Sequence, residues 1–463
     1  MQYVKRQHET GFFAVDLFAG CGGLTEGFKQ AGVEVVADVE MNEWACQTLR
    51  TRHLFYELKR IGRIRLFYKY LREQITEEEI FKDYPAIRQV ISKRVIQATL
   101  GRDKMSGILQ KIRSSLHYHG GSKVHVLLGG PPCQPYSLIG RARDPDKMEN
   151  DDRHYLYRYY LKILSSLKPD FFVYENVPGL FSARAEGQEI FSRMLDDFSS
   201  LDPPYEITPP LELLLDQPAS YILDSAAFGV PQHRKRLILI GYRKSLEPLN
   251  LGIINIFKKL QKRGRKNIGK GCLTVEDAIG DLPALEPGQG NDGYYGPYSK
   301  NTKLGPYQRK MRRYSPGFLN HRARSHMESD IERYRFFIRH YQKENRPAKL
   351  DDLLEQRPDL TPDHNNLEVF NDRFKVQWWS NPSSTIMAHI SKDGHYYIHP
   401  DADQGRSFTV REAARCQSFP DNFKFEGSRL QQFKQVGNAV PPLLAYNIAK
   451  AIYKELSKIY ESY

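Results

Sequence analysis

The sequence predicts an α/β protein, built on a mostly parallel sheet with helices on both faces and followed by a smaller, loop-rich domain. Three observations carry this: strand-like and helical segments alternate in the first half, a glycine turn follows the first strand, and the composition changes near residue 246. "FFAVDLF" is an apolar, β-rich run that ends at glycines, "LTEGFKQAG" is a short amphipathic helix stopped by Gly32, and "VEVVADVE" is the next strand. Together they form a βαβ unit. Residues 54–120 interrupt the alternation with charged segments of helical pattern and read as a helical insertion. It resumes with "VHVLLGG", the helix "LYRYYLKILSSL" and the strands "FFVYENV" and "RLILIGY".

The expected organisation is a first domain over 1–245, a second over 246–400 and a C-terminal segment, 401–463, that returns to the first. Between 300 and 349 there are fourteen Lys/Arg against four Asp/Glu, interleaved with aromatic residues. That density suits phosphate contacts. The net charge of +13 points the same way, towards a polyanionic partner. No apolar stretch approaches the length that spans a bilayer, and the first residues lack the apolar segment of a signal peptide, so a cytoplasmic protein without membrane contact is expected.

Cys21, Cys46, Cys133, Cys272 and Cys416 are scattered and form no C-x-x-C pair, which argues for reduced thiols and against a disulfide framework or a zinc site. The histidines include no H-E-x-x-H, and "HYYIHPD" (395–401) reads as a strand, so no metal is expected. "DLFAGCGGL" (16–24) sets Gly20, Gly22 and Gly23 between a strand and a helix, where the backbone can approach a ligand closely. Glu40 ends the next strand and could accept both hydroxyls of a ribose, which suggests a nucleoside-containing cofactor. No phosphate-binding G-x-x-x-x-G-K-[ST] occurs. "GGPPCQPYS" (129–137) holds Cys133 among Pro131, Pro132 and Pro135 at a strand end, a stiff platform for a nucleophilic sulfur. Glu175, in "VYENVPG", is flanked by apolar residues that could keep it protonated and able to act as an acid.

These motifs, in this order, resemble those of the bacterial cytosine-carbon-5 DNA methyltransferases. "DLFAGCGGL" is similar to the cofactor motif, "GGPPCQPYS" to the nucleophile motif and "ENV" to the acid motif. "QHRKR" (232–236), "RSFTVREAARCQSFPDNF" (406–423) and "QVGNAVPP" (435–442) resemble three further motifs, and the likeness spans nearly the whole chain.

The resemblance implies a Rossmann-like class I methyltransferase fold and S-adenosylmethionine as methyl donor, with S-adenosylhomocysteine as product. The donor would lie against Phe18, Ala19, Gly20, Gly22, Gly23 and Leu24, with Glu40 on the ribose, Met41 beside the adenine, and Pro131, Leu156, Asn438 and Ala439 closing the pocket. Cys133 would attack carbon 6 of a flipped cytosine, Glu175 would protonate nitrogen 3, and Arg234 and Arg236 would position base and backbone. Gln134, Ser137, Gln232 and Thr385 would touch DNA, and the loop 138–155 would close over the extruded base. The region 246–400 would be the target-recognition domain.

The partners implied are double-stranded DNA, bound by a monomer in the nucleoid, and a cognate restriction enzyme or other defence proteins. Two departures stand out: Gln97 or Thr99 occupies the place of the family's adenine-binding acid, and the insertion is longer than the minimal pattern. The alternatives are an RNA cytosine methyltransferase, whose Cys-Phe-Thr signature is not found, and a catalytically silent DNA-binding relative, which should have lost Cys133 or Glu175.

Overall fold

The computed structural model describes residues 11–132, 156–185, 188–208, 221–249, 271–293, 296–298, 303–363 and 373–461. Its centre is an eight-stranded sheet. The first half supplies β1 (Phe13–Leu17), α1 (Gly23–Gln30), β2 (Glu34–Glu40), α2 (Glu43–Arg60), α3 (Ile64–Leu71), α4 (Glu77–Asp83), α5 (Pro85–Arg94), β3 (Val95–Gln97), α6 (Met105–Tyr118) and β4 (Val126–Gly129). There follow α7 (Leu156–Leu167), β5 (Phe171–Asn176), α8 (Ile190–Ser199), β6 (Tyr205–Thr208), β7 (Ile222–Asp224) and β8 (Lys235–Arg243). The strands run in the order β3-β2-β1-β4-β5-β8-β6, with β7 also paired to β8. From β3 to β5 neighbours are parallel, and β8 is antiparallel to β5, β6 and β7. Strand order reverses between β1 and β4, so the crevice outside their carboxyl ends is where such a sheet binds ligands.

Alternation along the strands explains the layers. Val15, Leu17, Leu127, Phe172 and Tyr174 point to one face, where Ile112 of α6, Leu164 of α7 and Phe198 of α8 cover them. Ala14, Val126, Leu128, Phe171 and Val173 point to the other, under Phe28 of α1 and Leu444, Ile448 and Ile452 of the last helix. That helix, α15 (Pro442–Glu461), packs directly on α1. The approach is close enough to require glycine: a methyl group on Gly27 would lie 2.4 Å from the Ala445 Cβ of α15, and one on Gly23 2.1 Å from the carbonyl oxygen of Val440, just before that helix.

The insertion expected over 54–120 is shorter than that. Val95 to Gln97 pair with Asp38 to Glu40 as the edge strand of the sheet, and α6 is an ordinary covering helix. Three residues between charged helices are too few to show a strand's alternation. What remains, from the end of α2 to α5, has a small core of its own around Leu54, Phe67, Ile80 and Ile91, which also takes in Leu319 of the second lobe.

The region expected to form a second lobe, 246–400, supplies among its described residues α9 (Val275–Ile279), α10 (Pro306–Met311), α11 (Glu328–Glu344) and α12 (Leu350–Gln356). The C-terminal segment divides in two by packing. Its helices α13 (Val410–Cys416) and α14 (Arg429–Asn438) share a core with Val275, Tyr307 and Ile386 of the second lobe, whereas α15 alone joins the sheet. The strand expected at 395–401 is instead a 3-10 turn at His395–Tyr397, followed by isolated bridges at Ile398. His395 is bonded to the Tyr334 hydroxyl, and His399 accepts the Asp401 amide at 3.2 Å and lies 3.6 Å from the Glu412 carboxylate. No helix among the described residues is long and apolar enough to cross a membrane.

The close approach of α1 and α15 gives a paired prediction. Gly23→Ala lowers stability by about 1–3 kcal/mol through overpacking, whereas Gly107→Ala, in α6 with open space at its Cα, raises it by about 0.5–1 kcal/mol. Urea unfolding midpoints of the two variants read both effects.

Candidate active site

The crevice is built first from the turn after β1. Phe18 and Gly20 both have positive φ, 56° and 55°, and the Gly22 amide donates to the Ala19 carbonyl at 2.9 Å. Nothing lies within 4 Å of where a Gly20 side chain would project, so this glycine borders open space, unlike Gly23, which faces Val440. Ala19 and Leu24 are buried in the turn's flanks. Glu40 at the end of β2 is turned towards Gly20: one carboxylate oxygen accepts the Gly20 amide at 2.8 Å and the other the Asn42 amide at 2.7 Å. Burial raises its pKa, and the backbone donors, Asn42 first, pull it back. Met41, beside it, is 58% exposed on the rim.

Beneath this turn lies a buried polar group that the sequence did not signal. Thr25 sits between Asp16 and Asp38, within hydrogen-bond reach of both, and His53 bonds Asp38 at 2.6 Å. A hydroxyl carries one proton and cannot donate to two carboxylates. Burial, and then the charge of Asp38, push the Asp16 pKa well up, while the Thr25 hydrogen bonds oppose the rise. The only hint in the sequence was an acid inside an otherwise apolar strand.

The opposite wall comes from β4, β5 and β8. Glu175 is 9% exposed near the end of β5, and a methyl group on Gly130 would fall 2.7 Å from its Oε2, so its carboxyl lies against the backbone that leads into the cysteine loop. Its neighbour Asn176 donates to the Pro131 carbonyl at 3.3 Å. The acid motif therefore anchors the nucleophile motif two residues before Cys133. Arg236, at the start of β8, pairs with Glu175 Oε1 at 3.0 Å. Burial raises the Glu175 pKa, while Arg236 and then Arg234 oppose the rise. Cys133, Gln134, Ser137 and the loop 138–155 lie outside the described residues.

Two expected contacts are corrected. Gln232, expected on DNA, is fully buried: its amide donates to the Cys416 carbonyl at 3.3 Å and its oxygen accepts the Ile386 amide at 2.9 Å. Arg234, expected to position the base, is equally buried and donates to the carbonyls of Ile386 at 2.6 Å and Gly437 at 2.9 Å. Both side chains hold backbone in place. Thr385 remains half-buried beside them, its hydroxyl donating to the His233 carbonyl at 2.6 Å.

Asn438 is exposed and Ala439 buried at the end of α14, and Leu156 opens α7, half-buried. Gln97 is exposed where β3 ends, and the Thr99 amide is bonded to the Asp103 carboxylate at 2.6 Å. Among the described residues no cluster of three or more His, Cys, Asp or Glu could hold a metal.

The balance at Glu175 fixes the sign of a pH effect. Arg236→Gln removes the charge that favours the carboxylate, so the Glu175 pKa rises further and the protonated form persists to higher pH. Carbon-13 NMR of labelled glutamate shows the titration moving upward; a downward or null shift contradicts the assignment.

The model of the C-5 cytosine-specific DNA methylase family matches residues 12–81 and 102–454. The unmatched stretch covers α5 and β3. The type II methyltransferase M.Bpa9945I of Bacillus paralicheniformis is 40% identical over 455 residues, 95% of this chain and 98% of that protein. M.DdeI of Desulfomicrobium norvegicum is 29% identical, over 95% of this chain and 88% of that protein. Among solved structures, a putative DNA modification methyltransferase encoded within an Escherichia coli prophage has the same fold, with a TM-score of 0.58 at 20% identity over 96% of this chain and all of that one. With the family model spanning nearly all of its length, the chain belongs to the C-5 cytosine-specific DNA methylases.

Proposed function

We propose that the protein methylates carbon 5 of a cytosine flipped out of a specific duplex DNA sequence, as the modification partner of a restriction enzyme, and that it does so as a monomer on nucleoid DNA. The observation that carries the chemistry is Glu175 packed against Gly130, with Asn176 on the Pro131 carbonyl. A buried acid and a proline-stiffened cysteine loop are thereby joined at one sheet edge. The restriction context rests on the relatives M.Bpa9945I and M.DdeI, both type II methyltransferases.

S-adenosylmethionine, when bound, supplies an electrophilic methyl group on a sulfonium. The crevice suits such a molecule: open space at Gly20, the Glu40 carboxylate fixed at its edge and the exposed Met41 fit a nucleoside. Phe18, Ala19, Gly20, Gly22, Gly23, Leu24, Glu40 and Met41 would hold it from one side, and Pro131, Leu156, Asn438 and Ala439 from the other.

The Cys133 thiolate adds to carbon 6 of the cytosine while Glu175 gives its proton to nitrogen 3, so no full negative charge develops on the ring. The Cys133 sulfur thus makes carbon 5 nucleophilic enough to take the methyl group. Loss of the carbon-5 proton to solvent water and expulsion of the sulfur then restore the aromatic ring and return the thiolate, with nitrogen 3 giving its own proton back to Glu175. Extrusion of the base costs a few kcal/mol, which contacts from Thr385, Gln134, Ser137 and the loop 138–155 offset. Arg236 holds the Glu175 carboxyl towards the ring. The lobe over 246–400 reads the sequence.

Bisulfite sequencing of DNA from cells expressing the protein gives a single protected motif. Cys133→Ser abolishes that protection while retaining duplex binding, and Glu175→Gln reduces the methylation rate by about 100-fold or more. Protection by Cys133→Ser at the wild-type level would overturn the mechanism.

A further inference from the structure

We propose that a cavity between Arg324, Lys392 and Arg429 in the second lobe seats a phosphate of the DNA backbone, an inference that rests on the DNA-methylating function above. The cavity has a volume of about 340 Å³ and is bordered by three segments distant in sequence. Arg324 precedes α11, Lys392 follows the turn Ala388–Ser391, and Arg429 is the first residue of α14.

The charge there is unbalanced. Two acids line the cavity, but both are already engaged: Asp330 pairs with Arg333 at 2.7 Å, and Asp393 with Arg373 at 2.7 Å and with the His395 amide at 3.0 Å. The neighbouring imidazoles add no charge at neutral pH, since burial pushes the His326 pKa down to about 4 and lowers that of His395. Three cations are left facing one space. The Arg324 pKa falls to about 10, through burial first and then the charge of Arg429. Asp393 offsets part of the charge of Arg324 and Asp292 part of that of Arg429, but each acid is shared with another arginine, and the positive excess that remains is what an anion relieves.

The arrangement is also preorganised. The Arg324 guanidinium lies 4.8 Å over the Phe433 ring and donates to the carbonyls of Lys392, at 2.7 Å, and Ile390, so it cannot swing away. Its Nε is buried with no hydrogen-bond partner among the described residues. The cavity sits at the start of α14, where the helix dipole is positive and Ser428 provides no side-chain cap.

The placement relative to the chemistry fits a duplex. Helix α14 runs from Arg429 at the cavity to Asn438, which the proposed function puts at the crevice and which follows the Gly437 carbonyl held by Arg234, about 14 Å along its axis. That is about four base pairs at 3.4 Å each. A phosphate held at Arg429 would therefore lie a few nucleotides from the extruded base, where it sets the register of the duplex without reading its sequence.

The test is fluorescence anisotropy with two duplexes, one carrying the methylated motif and one with that motif scrambled, across a series of salt concentrations. The double variant Lys392→Ala/Arg429→Ala is expected to weaken both duplexes by a similar factor, about tenfold, and to make the plot of log affinity against log salt shallower by about 0.9, the signature of one lost phosphate contact. An unchanged slope overturns the proposal, as does a loss confined to the motif-bearing duplex. Should the double variant unfold on heating earlier than the wild type, Lys392→Ala alone, at an exposed side chain, serves for the same measurement. Bisulfite sequencing of the wild type judges the methylation itself separately, so either idea can fail without the other.

Discussion

A single buried guanidinium holds the two halves of the site together. Arg234 lies at the start of β8, yet its two terminal nitrogens end on the carbonyls of Ile386 in the second lobe and Gly437 in α14. An arginine taken out of water costs several kcal/mol unless its donors are satisfied, so the two carbonyls and the segments that carry them cannot move apart cheaply. Gln232 adds two bonds to the same junction. Thr385 on one side and Asn438 on the other thus hold a fixed separation from the sheet edge.

Within that frame the acid is tuned by opposed effects. Burial raises the Glu175 pKa, and the charges of Arg236 and then Arg234 oppose the rise. The combination leaves a carboxyl that can give up a proton and take it back, as addition and elimination require. Its position is settled by backbone: Gly130 has no side chain to push the carboxyl away, and Asn176 fixes Pro131 beside it. On the other wall Glu40 is held by two amides, which orients its oxygens towards the crevice.

The strands at the centre of the sheet and the glycine turn were legible because a buried parallel sheet demands continuous apolar runs and a strand-to-helix turn demands glycine. The nearness of Glu175 and Asn176 to Gly130 and Pro131, the backbone that precedes Cys133, follows the expectation that both segments end at the same edge of the sheet. Three things were not legible. β3 is too short to declare a period. Asp16 reads as an ordinary polar residue until folding brings Asp38, Thr25 and His53 around it. Gln232 and Arg234 look like surface residues because their chemistry suits DNA, and only the return of residues 383–386 over them shows that they are core. Each miss is a case of long-range packing deciding what a local pattern leaves open.

The helices between β2 and β3, without an evident purpose in the sequence, have a mechanical one in the structure. Lys59 lies 4.0 Å over the Tyr314 ring, the Tyr68 hydroxyl donates to the Tyr314 carbonyl at 2.9 Å, and Arg52 reaches Asn422 at 2.9 Å. With Leu319 inserted into their core, they tie the segment 314–319 to the sheet through contacts separate from those of Arg234. On the proposed reading the base must still leave the stack, because a sulfur cannot reach carbon 6 inside a duplex.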